Sequence, residues 1–347
     1  MKLFLSHFLP CLQIFFVTLP PAHDAAASDF QIGSAAYNQG ALPTAALEWA
    51  LVAQKGDVNA QYKLGWLFRN GSGVFKNDNV TKRWWTLAAN QGHLDAQYNL
   101  GLMYRHGMGI KKDYKKAIKW FKLSSDQGHV HAQNNLGKMY KLGLGGLKNH
   151  QAAKKLFEQS ATKGNVSSQF TLGLMYKDGI GIPKNNQIAA KWWTMAAKQG
   201  YALAQYNIGL MHKNGEGLEQ NYNLASQWWS LAAKQGFAKA QYALGLLYQD
   251  GKGVRQDYDK VIKWWTLAAK QGELNSQYNL GWIYKTGKGL NQDDAKAIKW
   301  WKSAANNGHA KAQYNIGAIY SRGIGVKQNH NTAFKWWKLS ATQGYAK

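Results

Sequence analysis

Cysteine is nearly absent from this chain of 347 residues, with Cys11 as its single representative. Because Cys11 lies in an apolar N-terminal stretch, the remainder has no disulfide, no cysteine nucleophile and no cysteine metal ligand. Proline is scarce at five residues, and 18 acidic residues face 43 lysines and arginines. The fold must therefore be stabilised by packing, and the net charge of +25 is expected to attract polyanions.

The first 27 residues have the pattern of a secretory signal peptide. Lys2 supplies a basic start, residues 3–19 are largely apolar, and small residues precede a cleavage site near Ala27. An uncleaved membrane anchor is the alternative interpretation. No later stretch is apolar enough to cross a membrane, so the mature chain is expected to have no transmembrane segment. Export without disulfides predicts a bacterial periplasmic or secreted protein.

Glycine is abundant and sets a strict period of 36 residues. The marker glycines are Gly56, Gly92, Gly128, Gly164, Gly200, Gly236, Gly272, Gly308 and Gly344. Numbered from this glycine, eight units fill residues 56–343 without insertion or deletion, and a short tail ends at residue 347. Every unit has Gln at position 6 and Gly at positions 10, 16 and 18, and most have Trp-Trp at positions 29 and 30. An uninterrupted period of this length predicts an array of stacked repeats.

Each unit contains two predicted helices. The first spans about positions 4–15, with apolar residues at 5, 9, 12 and 13, and the Gly-x-Gly at positions 16–18 ends it. The second spans about positions 23–35, with an apolar stripe at 26, 29, 30 and 33. Glycine at position 10 costs about 1 kcal/mol relative to alanine inside a helix. Its recurrence therefore predicts the close approach of a neighbouring helix.

The two ends of the array differ from its middle. Residues 28–55 form a shortened unit, predicted as an N-terminal cap of the tetratricopeptide type, in which Trp49 lies 36 residues before Trp85. In the last unit no further hairpin covers Trp336 and Trp337. This exposed end favours either end-to-end self-association or a tolerated apolar surface.

These motifs resemble the Sel-one-like repeat, a relative of the tetratricopeptide repeat. The best example is Ala240-Gln241-Tyr242, Leu244-Gly245, Gly251-Lys252-Gly253-Val254, Trp264-Trp265 and Ala268-Ala269. The resemblance covers essentially the whole mature chain. It implies an all-α fold, a right-handed α/α solenoid (superhelix) of antiparallel helix hairpins. It also implies a role as a scaffold or adaptor that binds proteins. Some cysteine-rich secreted relatives are associated with β-lactam binding or hydrolysis, and this chain lacks their cysteines.

Four positions of the first helix vary between units while their neighbours do not. Positions 4, 8, 11 and 15 cluster within about 60° around the helix. In related solenoids the first helix lines the concave surface, so we predict a groove for a protein partner here, with unconstrained surface as the alternative. The candidate groove residues are Trp66, Asn99, Leu102, Asn135, Asn207, Leu210, Asn279, Trp282 and Asn315.

Basic residues recur at two positions. The first basic row, at position 14, contains Arg69, Arg105, Lys141, Lys177, Lys213 and Lys285. The second basic row, at position 28, contains Arg83, Lys119, Lys155, Lys191, Lys263, Lys299 and Lys335. These rows predict binding to anionic envelope polymers or lipid headgroups, or else they only solubilise the surface. The leader argues against nucleic acid as a partner.

The unit at residues 128–163 departs from the pattern. Asn134 replaces the usual tyrosine, Gly146 replaces an apolar residue, and Leu156 and Phe157 replace the tryptophan pair. The departure is interpreted either as drift in a tolerant unit or as a bend or partner-specific notch.

No catalytic, metal or cofactor site is predicted. The Gly-x-Gly recurs between helices and lacks the preceding strand and following lysine of a phosphate loop. His129 and His131 have no third ligand nearby in the sequence. The chain is therefore not expected to be an enzyme, with a hydrolase acting on β-lactams or peptidoglycan as a remote alternative.

Overall fold

The computed structural model describes residues 29–345, and throughout this range every regular element is an α-helix. The helices are α1 (Asp29–Asn38), α2 (Leu42–Gln54), α3 (Val58–Asn70), α4 (Asp78–Asn90), α5 (Leu94–His106), α6 (Tyr114–Asp126), α7 (Val130–Leu142), α8 (His150–Thr162), α9 (Val166–Asp178), α10 (Asn186–Lys198), α11 (Ala202–Asn214), α12 (Tyr222–Lys234), α13 (Ala238–Asp250), α14 (Tyr258–Lys270), α15 (Leu274–Thr286), α16 (Asp294–Asn306), α17 (Ala310–Arg322) and α18 (His330–Ala341). The predicted all-α array of helix hairpins with a 36-residue period is confirmed. The predicted signal peptide lies outside the described residues.

Short polar residues and glycines set the helix boundaries. The second helix of a unit begins after an Asn or Asp, as where the Asn221 side chain accepts from the Leu224 amide at 2.9 Å. The first helix ends at the first glycine of the Gly-x-Gly, and Gly251 has the left-handed φ of +68° that this ending requires. A Cβ on the second glycine, Gly253, would lie 2.2 Å from the backbone of Tyr222 in the preceding unit. The first glycine therefore allows the helix to end, and the second allows the close approach of the preceding unit.

Glycine at position 10 admits the tryptophan at position 30. A Cβ on Gly245 would lie 2.2 Å from Nε1 of Trp265 on the paired helix. The same Nε1 donates to the carbonyl oxygen of Tyr242 at 3.1 Å. Equivalent bonds of 3.0–3.3 Å are made by Trp49, Trp85, Trp193, Trp229, Trp301 and Trp337. The predicted close approach is confirmed, and an indole ring makes it.

The glutamine at position 6 links three helices. Gln241 Nε2 donates to the carbonyl oxygen of Ala233, at the end of the preceding unit's second helix, at 3.1 Å. Gln241 Oε1 accepts from Nε2 of Gln271, at the end of its own unit's second helix, at 2.9 Å. The glutamine is 3% exposed, so both bonds are shielded from water. This pairing explains why position 6 does not vary.

The described residues divide into two compact bodies, with the boundary after Ser168, inside α9. In the first body, Phe121 of α6 packs with Leu136 of α7. In the second body, Trp229 of α12 packs with Leu244 and Leu247 of α13. In both bodies the second helix of one unit shares its core with the first helix of the next, as stacked hairpins require.

Two further expectations concern the chain's first hairpin and the membrane. Trp49 of α2 donates to the Phe30 carbonyl at 3.3 Å, and Gly33 leaves room for its ring. Residues 29–54 therefore repeat the glycine–tryptophan contact, and the capping role stays a prediction. Among the described helices, none has the length and apolar character needed to span a bilayer.

Candidate partner-binding surface

Tryptophan occupies position 11 of the first helix in one unit of each body. Trp66 in α3 is 37% exposed and Trp282 in α15 is 44% exposed. Leu102 and Leu210, at the same position, are half-buried. Among these four residues of the stripe, the two tryptophans are therefore the most exposed, and the binding role of the stripe stays a prediction.

Both tryptophans have aromatic neighbours that fix their rings. Trp66 borders a cavity of about 260 Å³ with Tyr37, Trp49, Tyr62 and Lys63. The Tyr37 ring meets the Trp66 ring edge-on, with centroids 6.3 Å apart.

In the second body, the Trp282 ring lies edge-on to Trp301, with centroids 5.4 Å apart. Rings held in this way present apolar surface with little conformational freedom left to lose on binding. They are the best-formed anchors on the predicted groove.

The predicted groove asparagines also join neighbouring units. Asn99 Nδ2 lies 3.4 Å from the hydroxyl of Tyr62, and Asn135 Nδ2 lies 3.5 Å from that of Tyr98. Burial raises the pKa of both tyrosines, and the Asn99 and Asn135 bonds oppose this shift. The half-buried asparagines therefore help to stabilise the array. The other three are Asn207, Asn279 and Asn315, and they are also half-buried.

Histidines that start the first helix of a unit stack on these tyrosines. His93 lies on Tyr62 and His129 on Tyr98, with centroids 4.3 and 4.5 Å apart. His129 Nδ1 also accepts from the Ala132 amide at 3.0 Å. His129 is thus a helix cap, and no cluster of three metal-binding side chains occurs among residues 29–345.

Carboxylates neutralise half of the first basic row. Arg69 pairs with Asp78 at 2.5 Å and Lys285 with Asp294 at 3.0 Å. Lys177 pairs with Glu216.

The unpaired members of this row are Arg105, which donates to Asn135, together with Lys141 and Lys213. The second basic row is exposed at every member. Of the two basic rows, the second is therefore the more accessible to anions.

A cavity marks the divergent unit. About 510 Å³ lies open where Leu156 takes the place of a tryptophan, and Tyr140, Lys155 and Gln133 line part of it. Leu156 is smaller than the indole that packs there in most other units, which accounts for the space. A notch is therefore present, while its use by a partner stays a prediction.

One surface was missed in the sequence. Position 32 of the second helix is exposed and apolar in seven hairpins, at Leu51, Leu87, Leu123, Met195, Leu231, Leu267 and Leu339. The signal was available, because these residues share one register and lie outside the predicted apolar stripe. It was hidden by the tryptophans and alanines beside them.

The repeat itself matches a known family. A family model for the Sel1 repeat matches residues 58–93, 94–129, 130–165, 166–201, 202–237, 238–273, 274–309 and 310–345. The chain belongs to the Sel1-repeat family. The resemblance seen in the sequence is confirmed, and the period is the same, with the unit boundary placed two residues later.

Two solved structures extend this match. The chain is similar to a protective antigen present in uropathogenic Escherichia coli strains, with 32% identity and a TM-score of 0.82. That alignment covers 86% of this chain and 64% of the antigen, so this Sel1-repeat chain spans less than two thirds of its length. A Sel1 repeat protein from Oxalobacter formigenes has 29% identity and a TM-score of 0.70, with 96% and 94% covered. No match was found among curated proteins.

Membership of the Sel1-repeat family indicates a general class of function. Sel1-repeat proteins typically act as scaffolds for protein–protein interaction, and the family is generally non-catalytic. A protein partner is accordingly the class that the repeat supports.

Proposed function

We propose that this Sel1-repeat protein is an exported scaffold that binds a protein partner through the variable stripe of its first helices. The observation that carries the proposal is the pair of ring-fixed, exposed tryptophans, Trp66 and Trp282, on that stripe. Tryptophan is over-represented among the residues that dominate binding energy at protein interfaces. The asparagines beside them add polar groups of the kind found around such anchors. The leader motivates the periplasmic or secreted location.

The binding test begins by identifying what touches the stripe. A photo-crosslinking residue is placed at Leu102 or Leu210 on the stripe and, as a control, at exposed Asn90 on a second helix. Crosslinking in intact cells is expected to give one defined protein from the first two sites and not from the third. Equal products from all three sites would contradict the proposal.

The energetic test uses residues that the array already tolerates. Four units carry leucine at position 11, so Trp66→Leu and Trp282→Leu keep the fold. Each is expected to weaken binding of the purified partner about tenfold or more, since anchors of this type contribute about 2 kcal/mol or more. Trp192→Leu makes the same change on a second helix and should leave the affinity within about threefold. Unchanged affinity in both stripe variants would overturn the proposal.

The alternative partner, an anionic envelope polymer, rests on the two basic rows. Ion pairing of Arg69, Lys177 and Lys285 weakens the first row as a binding surface. Binding to a polymer should fall steeply with salt, since exposed charges are screened within about 8 Å at physiological ionic strength. A salt-insensitive complex with a protein supports the main proposal instead. No observation favours a β-lactam or peptidoglycan hydrolase.

A further inference from the structure

The second helices of the second body carry a repeated apolar row. Met195, Leu231, Leu267 and Leu339 all stand at position 32 and are 42, 46, 39 and 48% exposed. Single exposed leucines are ordinary on a protein surface. Four at one repeat position, on α10, α12, α14 and α18, present the same apolar contact on four of the five second helices, while α16 has Ser303 there.

Lysines flank this row on the same side of each helix. Position 28 lies one helical turn before position 32, and position 35 lies three residues after it, so all three share a face. The exposed lysines at these positions are Lys191, Lys263, Lys299 and Lys335 at position 28, and Lys198, Lys234 and Lys270 at position 35. Within the described residues, none of the seven forms an ion pair.

These second helices carry no carboxylate between positions 25 and 35. On these second helices of the second body, acidic residues occur only in the first turn, at Asp259 in α14 and Asp294 in α16. Asp294 is bound to Lys285 of a first helix. Between positions 25 and 35, the exposed charges on these helices are therefore all positive, and they lie beside the exposed apolar side chains of position 32. We call residues at positions 28, 32 and 35 of α10, α12, α14, α16 and α18 the second-helix face.

Apolar side chains bordered by lysines are the pattern of segments that lie in a membrane interface. Each lysine near an anionic bilayer contributes about 1 kcal/mol, and its stem reaches past apolar side chains to the headgroups. A bilayer offers identical anionic groups to every hairpin. A protein partner would need acidic and apolar groups spaced at the period of the repeat, so lipid is the simpler match. The absence of a spanning helix among residues 29–345 leaves peripheral contact as the mode of binding.

We propose that the second-helix face binds the surface of an anionic lipid bilayer. The leucines and Met195 enter the interface while the flanking lysines contact phosphate-bearing headgroups. This face lies on different helices from the first-helix stripe, so the proposal does not depend on the scaffold function.

The chain supplies its own substitutions for the test. Gln227 occupies position 28 and Gln159 occupies position 32 in other units, so glutamine is compatible with the fold at both positions. The charge variant is Lys191→Gln, Lys263→Gln, Lys299→Gln and Lys335→Gln. The apolar variant is Met195→Gln, Leu231→Gln, Leu267→Gln and Leu339→Gln. The control is Lys76→Gln, Lys112→Gln, Lys148→Gln and Lys184→Gln, which are exposed lysines at position 21, since Gln220 occupies that position in another unit and the net charge changes equally.

Binding of the full chain is measured by co-sedimentation with vesicles of phosphatidylglycerol and phosphatidylethanolamine, and with phosphatidylcholine vesicles. The N-terminal leader is the same in all variants, so differences in vesicle binding between them measure the contribution of the second-helix face. We expect the charge variant to bind anionic vesicles at least twentyfold more weakly, since four lysines at about 1 kcal/mol each exceed that factor. The apolar variant should bind about tenfold more weakly and the control within about threefold of the original chain.

Several outcomes would overturn the proposal. Equal weakening by the control would show that net charge alone drives binding. Equal binding of all variants to anionic vesicles would exclude the second-helix face as the binding surface. Equally strong binding to phosphatidylcholine vesicles would exclude recognition of anionic lipid. Capture of an acidic protein that the charge variant loses, without vesicle binding, would make the face a protein surface. None of these results bears on the stripe tested with Trp66 and Trp282.

Discussion

In the unit at residues 236–271, the indole of Trp265 covers Gly245 and donates to the carbonyl oxygen of Tyr242 at 3.1 Å. In the unit at residues 128–163, Phe157 covers Gly137 and has no N–H to donate. Both rings are fully buried, so the apolar contact survives the loss of the hydrogen bond. Packing thus secures the hairpin in both units, and the indole N–H adds to it.

The hydrogen bond between the glutamines at positions 6 and 36 shows the same contrast between the two units. Gln241 accepts from Gln271, whereas Gln133 Oε1 has no partner because Lys163 stands at position 36 and donates to the Gly128 carbonyl at 2.9 Å. Gln277 Oε1 is also unpartnered, where Asn307 is one methylene shorter than glutamine. The glutamine at position 6 therefore needs two hydrogen-bond partners, the carbonyl of the preceding helix and a glutamine at position 36. The unit at residues 128–163 lacks the second of them.

The largest expected difference between the two units follows from filling position 10. Gly245→Ala places a Cβ 2.2 Å from Trp265 Nε1 and should displace the indole from its carbonyl. Overpacking and the lost bond outweigh the gain in helix propensity, giving about 3 kcal/mol of destabilisation. Gly137→Ala meets Phe157 at 2.9 Å and breaks no bond, so its cost should be about 1 kcal/mol or less.

Urea unfolding, fitted with a nearest-neighbour description suited to repeats, measures both changes. Gly236→Ala is unsuitable as a control because Gly236 has a φ of +87°. Lys198→Ala, on an exposed helix position, reports the scatter expected from a neutral change. Equal costs for Gly245→Ala and Gly137→Ala would contradict the role assigned to the indole.

A smaller difference is expected from exchanging the residues at position 36. Gln271→Lys leaves buried Gln241 Oε1 without a donor and should destabilise the chain by about 1–3 kcal/mol. Lys163→Gln supplies the donor that Gln133 lacks and should stabilise it by about 1 kcal/mol. The measurement is the midpoint of urea unfolding. Opposite signs are the essential result, and destabilisation by both changes would show that Gln133 is satisfied in another way.

Much of this framework is legible in the sequence because it depends on local chemistry. Glycine at a helix end and Asn or Asp at a helix start define boundaries within a residue or so, and the period repeats them eight times. Glycine at position 10 signalled close approach because its cost in a helix demands a reason. The stripe that carries Trp66 and Trp282 followed from variability between units.

The features that the sequence analysis did not predict depend on contacts between segments far apart in the chain. Gln97 bonds to the carbonyl oxygen of Ala89 and to Gln127, 8 and 30 residues away, and a backbone acceptor leaves no mark in the sequence. The pairing of Lys177 with Glu216 spans 39 residues, so the first basic row looked uniformly charged. The exposed apolar residues at position 32 are different, because their shared register is visible in the sequence and only the tryptophans and alanines beside them drew attention away from it.

The smallest expected difference is a response to pH at the start of the first helices. His129 caps α7 with a neutral Nδ1, while Phe237 begins α13 without a side-chain cap bond. Burial lowers the pKa of His129, and Asp95, whose Oδ1 lies 3.3 Å from Nε2, opposes that shift. The neutral cap therefore stabilises the fold fully above the ordinary histidine value of about 6.5. That stability is lost as the pH falls from there towards the lowered pKa of the folded state.

Hydrogen exchange resolves this locally. Between pH 7.5 and 5.5, after correction for intrinsic rates, protection of the Ala132 amide and its neighbours in α7 should fall. Protection at the start of α13 should hold. His129→Asn replaces the titrating acceptor with one that caps the equivalent helix of the next unit through Asn165, and it should abolish the pH response. If α7 in that variant still loosens with acid, the loss arises from groups other than His129, and the capping explanation is wrong.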